Sequence, residues 1–206
     1  MIDRDVLYHK IYGSICGLAI GDCMGMPTEF MTPEEIQEKY GYVDKLVTPC
    51  NHIHKDLKYG MITDDTEITL QIIEEIIKNQ KFDLKVAVEA IINWAKHKDV
   101  FNKSYLGPSS AKAIKALLKG VPPEEAGEYG ATIGAAMRVT PLGLINIGNI
   151  QKAIADAEIM SIPTHNTNLA IAGATSIAAA IAIAMEEDST EDQVLAAALY
   201  GAKEGP

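Results

Sequence analysis

The chain has 206 residues, 48% of them hydrophobic and 22% charged, which is enough for one domain, 1–206, with a substantial core. Its formal charge of -10 argues against nucleic acid or an anionic membrane as a general partner, because there is no basic surface to release counterions. The mixed-sign start Met1-Ile2-Asp3-Arg4-Asp5 is no signal peptide, and three cysteines without a CxxC pair favour a reducing, cytoplasmic setting.

Helical periodicity recurs along the chain, and two-residue alternation hardly occurs. Val6 to Gly21 reads as a helix with Leu7, Ile11, Ile15 and Leu18 on one face. Thr32-Pro33-Glu34-Glu35 supplies an N-cap, a first-turn proline and an acidic third position, and Gly41 closes that short helix. Asp64 to Asn79 carries Ile68, Ile72, Ile73, Ile76 and Ile77 on one side. Asp83 caps a helix reaching Lys98, and Ser109 to Leu118 follows, with Gly120 as its C-cap. Ile150 to Met160, Asn166 to Met185 and a last helix from Ser189 complete the series. Leu169 to Met185 is uncharged but shorter than the roughly 20 residues a bilayer needs, so its Ala-rich run predicts a closely packed core helix. Segments 42–62 and 120–149 are rich in Gly, Pro and Thr and read as the loops that carry chemistry.

Four clusters hold candidate functional groups. Thr63-Asp64-Asp65-Thr66 sets two carboxylates between two hydroxyls where a helix begins, a donor set suited to a hard cation such as Mg²⁺. The plainer reading has Asp64 capping the helix while Asp65 and Glu67 complement its dipole, but one cap needs only one of two mutually repelling carboxylates. Asp22 and Glu29 lie in a glycine-rich, mainly apolar stretch where a carboxylate is a candidate acid or base; a helix C-cap and turn is the alternative. Gly130 to Gly143 holds a small-residue loop leading to Arg138, a pattern that cradles phosphate or serves packing alone. His165 precedes the Ala-rich helix, where its charged form is disfavoured; a partly exposed helix-start histidine is the alternative.

In this order the clusters resemble the ADP-ribosylglycohydrolase family. The matching residues are Gly21-Asp22, Gly25 and Glu29, then Gly60, Thr63, Asp64, Asp65 and Thr66, then Gly134-Ala135-Ala136-Met137-Arg138, then Ser161 to His165. The resemblance runs from about residue 10 to residue 185. It implies an all-α fold, an orthogonal multi-helix domain with a binuclear Mg²⁺ centre. It further implies cleavage of the bond between ADP-ribose and a protein side chain, or a related small conjugate. On that resemblance Thr63, Asp64 and Asp65 are metal ligands, and Glu29 is the carboxylate beside the scissile bond with Asp22 in support. Gly134 through Arg138 and His165 then border the ADP-ribose.

Two departures qualify the resemblance. Ile133 stands where the family has Asn. No late Asp-x-Asp-Thr motif is present to complete the metal site, so the expectation is a C-terminally incomplete domain. A catalytically weak or inactive ADP-ribose-binding or structural relative is the alternative function. Independently, Cys50, His52 and His54 alternate, so an extended segment would turn all three to one side as part of a zinc site; a polar loop shielding the active site is the other reading.

Overall fold

Helix caps legible in the sequence set many of the boundaries found in a computed structural model, which describes residues 3–50, 53–54 and 57–205. Ten α-helices and no strand occur among the described residues. They are α1 (Arg4–Gly25), α2 (Pro33–Tyr40), α3 (Asp64–Asn79), α4 (Leu84–His97) and α5 (Pro108–Leu117). Then follow α6 (Pro123–Ala126), α7 (Thr140–Leu144), α8 (Ile150–Ser161), α9 (Asn168–Ala184) and α10 (Glu191–Glu204). Single 3₁₀ turns occupy Met26–Thr28, Val100–Asn102 and Ala136–Arg138. The fold is all-α, as the periodicity predicts.

Local chemistry accounts for the ends. Thr32 and Glu35 form a reciprocal capping box at α2, and Gly41 (φ +68°) ends it. Asp83 accepts from the Val86 amide to open α4. Helix α1 runs one turn beyond the expected stop at Gly21, because an interior glycine costs a helix only about 1 kcal/mol and Asp22 is tied down on its last turn, as described below. Segment 120–149 is more ordered than a loop: Pro123 and Pro141 start α6 and α7, which are too short for their periodicity to register.

The core joins Ile68 and Ile72 of α3 to Ile91 and Trp94 of α4, Ile114 of α5, Leu142 of α7 and Met160 of α8. Complete burial contributes roughly 1.5–3 kcal/mol for each such aliphatic side chain. The Ala-rich α9 is the core helix expected of it, packing against α7, α8, α10 and the 136–138 turn. Its small residues allow backbone contact: a Cβ on Gly201 of α10 would sit 2.5 Å from the Thr175 carbonyl oxygen. No described helix is long and apolar enough to cross a membrane. Leu7, Ile11, Ile15 and Leu18 of α1 are only half-buried, and burial of that helix is completed at Asp22 and Cys23. The fold thereby brings the end of α1 onto the start of α3.

Candidate active site

Thr63 is the residue before α3, yet its side chain does not cap the helix. The cap comes from α1 instead. Asp22 Oδ2 accepts from the Thr63 amide at 2.8 Å and the Thr66 amide at 3.3 Å. The hydroxyls of Thr63 and Thr66 donate to the same carboxylate at 2.7 and 2.6 Å. A buried carboxylate therefore satisfies orphan N–H groups of a helix belonging to another segment. Asp64 is not the cap that the plainer sequence reading made it, because Asp22 fills that role.

Asp64 and Asp65 are left with charge and little to offset it. No other described residue donates a hydrogen bond to either carboxylate. Burial and then the neighbouring Asp65 push Asp64 up to about 8, while burial and then Asp22 push Asp65 up to about 6. Glu29 adds to both shifts, which places all four carboxylates in one electrostatic neighbourhood. Glu29 itself is half-exposed at the end of the 3₁₀ turn, with Oε2 2.6 Å from His54 Nε2. The oxygens of Thr63, Asp64 and Asp65 are hard donors, and two crowded carboxylates, of which only Asp64 is eased by a hydrogen bond, from its own backbone N–H, create demand for a cation. Among the described residues, however, no three His, Cys, Asp or Glu side chains converge to hold an ion alone.

The second wall is the loop before the 136–138 turn. Arg138 is fully buried, and its Nη2 donates to the Met160 carbonyl at 3.2 Å and the Thr164 hydroxyl at 2.5 Å. Burial lowers its pKa to about 10, opposed by the negative charge of Asp64. His165, 1% exposed, lies between Thr164 Oγ1 (2.8 Å) and Thr132 Oγ1 (2.9 Å). Burial, and then Arg138, hold its pKa down to about 3, so the ring is neutral. Neutrality is what its place before α9 predicts, although the main cause is desolvation rather than the helix dipole. A Cβ on Gly134 would stand 2.6 Å from the His165 ring, so only glycine fits there.

A model of the ADP-ribosylglycohydrolase family matches residues 3–204. The chain belongs to that family. It is 38% identical over 186 residues to an uncharacterized protein of Archaeoglobus fulgidus, covering 90% of this chain and 59% of that protein. It is 35% identical over 184 residues to the uncharacterized protein YegU of Escherichia coli (strain K12), covering 87% and 55%. It is 31% identical over 144 residues to the ADP-ribosyl-[dinitrogen reductase] glycohydrolase of Rhodospirillum rubrum, covering 69% and 47%. The chain spans about half the length of the curated relatives it matches.

In this ADP-ribosylglycohydrolase chain the residues expected at the ligand divide by depth. Gly134, Ala135, Arg138 and His165 are buried and Ala136 and Met137 half-buried, while the preceding Ala131, Thr132 and Ile133, outside that expectation, are exposed. Arg138 donates to Met160 and Thr164 from within the protein. Cys50 and His54 are engaged separately: Tyr40 donates to Cys50 Sγ at 2.8 Å, whereas His54 meets Glu29. His52 lies outside the described residues. Sequence reasoning missed the Glu29–His54 pair and the Thr132–His165 contact, since neither a separation of 25 positions nor a lone threonine in a small-residue loop leaves a periodic signal.

Proposed function

We infer that the protein acts in Mg²⁺-dependent hydrolysis of the glycosidic bond between ADP-ribose and a protein side chain, or a related ADP-ribosyl conjugate, in the cytoplasm. The observation that carries this reading is the cap supplied by Asp22, which leaves Asp64 and Asp65 without a structural duty. Family membership supports the reaction class. The relative from Rhodospirillum rubrum is named for removing ADP-ribose from dinitrogen reductase.

In this reading Thr63, Asp64 and Asp65 hold Mg²⁺, two ions being expected in a complete site. Mg²⁺ is commonly bound by one or two carboxylates, with waters and substrate oxygens filling the rest of its shell. When bound, the ion orients ribose hydroxyls and offsets repulsion between an acidic protein and a diphosphate. Glu29 faces the anomeric carbon and takes a proton from the attacking water as the carbon–leaving-group bond breaks; that proton then goes to the leaving group. His54, at hydrogen-bond distance, orients the Glu29 carboxylate. Asp22 keeps Thr63 and the first turn of α3 in place. The Gly134–Arg138 segment and His165 support the loop that borders the ADP-ribose.

Incomplete convergence of acidic side chains favours a second reading, an ADP-ribose-binding relative with weak or no turnover. Release of free ADP-ribose from a modified arginine or serine substrate separates the two. The hydrolase reading expects release that EDTA abolishes and Mg²⁺ restores. Tight ADP-ribose binding without turnover at any Mg²⁺ concentration would establish the second reading.

A further inference from the structure

The C-terminal end of a helix carries partial negative charge and favours cations, yet the 17-residue α9 is followed, after Met185, by Glu186-Glu187-Asp188. Glu191 and Asp192 come next, in the first turn of α10, and the dipole of that helix accounts for those two alone. All five carboxylates are exposed, and among the described residues none of them forms an ion pair. The Lys10 ammonium does reach this corner, but it donates to the carbonyls of Ala184 at 3.2 Å and Glu186 at 2.5 Å. Charges that served solubility alone would be as useful anywhere on the surface. These are gathered where a helix end resists them.

The same corner borders an apolar groove. Ile150 of α8, Ile183 of α9 and Ala196, Ala197 and Tyr200 of α10 line a lobe of about 410 Å³, with Glu186 among its walls. Past Ile150, Glu186 and Tyr200 the lobe continues into a second of about 750 Å³, along Ile147, Gly148, Asn149 and Gln151. The walls are tied together without a partner. Gly148 (φ +69°) donates its amide to the Ala182 carbonyl at 3.0 Å, and a Cβ there would stand 2.7 Å from Glu186 Oε1. Gln151 Nε2 donates to the Tyr200 hydroxyl at 2.9 Å, joining α8 to α10. A preformed apolar groove beside five unpaired carboxylates is complementary to a chain segment that is apolar on one face and cationic on the other.

We propose that this groove docks a basic amphipathic helix of a partner protein. Its apolar face enters between Ile150, Ile183 and Tyr200, and its lysines or arginines meet Glu186, Glu187 and Asp188. Carboxylates spread over seven positions match a row of side chains rather than one small cation. The docking surface is independent of the hydrolase reading. A fluorescein-labelled peptide of about 18 leucines and lysines, patterned as an amphipathic helix, is the probe, and fluorescence anisotropy with the full chain is the readout. Ala196→Gln fills the apolar lobe from an exposed position without changing the charge. A second variant combines Glu186→Gln, Glu187→Gln and Asp188→Asn. The parent is expected to bind the peptide saturably, and each variant about tenfold or more weakly, with melting temperatures unchanged. Binding should also weaken as ionic strength rises past about 0.15 M, and a leucine–glutamate peptide of the same pattern should not bind. Equal affinity in the parent and Ala196→Gln means attraction to charge alone and overturns the proposal. So does a parent that fails to bind, or one that light scattering shows to self-associate through this face until Ala196→Gln separates the copies.

Discussion

Asp22, on the last turn of α1, caps α3 through Thr66, accepting from that residue's amide at 3.3 Å and its hydroxyl at 2.6 Å. The bond spans 44 positions in sequence and fixes where Asp64 and Asp65 begin their helix. One carboxylate thereby relieves two others of structural work, and the chemistry of the site follows from that division.

Asp22→Ala removes the cap and leaves two amides and two hydroxyls seeking water in a buried setting. Part of the loss is offset, because Asp22 also repels Asp65. We expect a net destabilisation of about 2–4 kcal/mol in urea unfolding, in line with losing a buried cap and charged hydrogen bonds. A loss below about 0.5 kcal/mol, the level of ordinary surface substitutions, contradicts the capping role.

Asp64 makes the metal-free protein sensitive to alkaline conditions. Its folded pKa, near 8, is raised above the unfolded 3.8, so the folded state binds the extra proton between those values. Its stabilising contribution is complete below about pH 4 and declines as pH rises towards 8, by at most roughly 1.4 kcal/mol per pH unit. Asp65 acts in the same direction between 3.8 and about 6. Asp64→Asn should flatten this decline in EDTA and raise the melting temperature at pH 8, while abolishing ADP-ribose release. A variant melting below the parent at pH 8 runs against this account.

His165 works in the opposite sense. Its folded pKa, near 3, lies below the unfolded 6.5, so the unfolded state binds the proton in that window. The stability it contributes is present above pH 6.5 and is lost as pH falls towards 3. His165→Gln should lower stability at pH 7 and shrink the difference from the parent as pH drops to 4. A difference that stays constant over that range contradicts a buried neutral imidazole.

Glu29 is half-exposed, so its removal tests chemistry rather than folding. Glu29→Gln should lower kcat by about a hundredfold or more, the scale of a lost general base, with ADP-ribose affinity and melting temperature nearly unchanged. Equal losses in affinity and turnover would assign Glu29 to binding instead.

Much of the scaffold was legible because its determinants are local. The isoleucines of α3 and the capping box of α2 yield the observed boundaries, and the Ala-rich run from Leu169 marks the helix at the centre of the packing. Gly21 was a false stop, since what holds the last turn of α1 is a carboxylate bonding to Thr63 and Thr66, far along the chain. The candidate site was legible as residue types and not as roles. A sequence pattern places Arg138 and His165 in a ligand loop, but depth is a tertiary property, and both are buried behind Thr132. His54 beside Glu29 arises from a long-range contact with no periodic trace.

The central claim is that Asp64 and Asp65, freed by the Asp22 cap, bind a divalent cation. Calorimetric titration of EDTA-treated, dialysed protein with MgCl₂ tests it most directly. The account predicts saturable binding that weakens by about tenfold or more in Asp64→Asn and in Asp65→Asn, and that raises the parent's melting temperature. Binding of equal strength in the parent and both variants, or no binding by the parent, would contradict it.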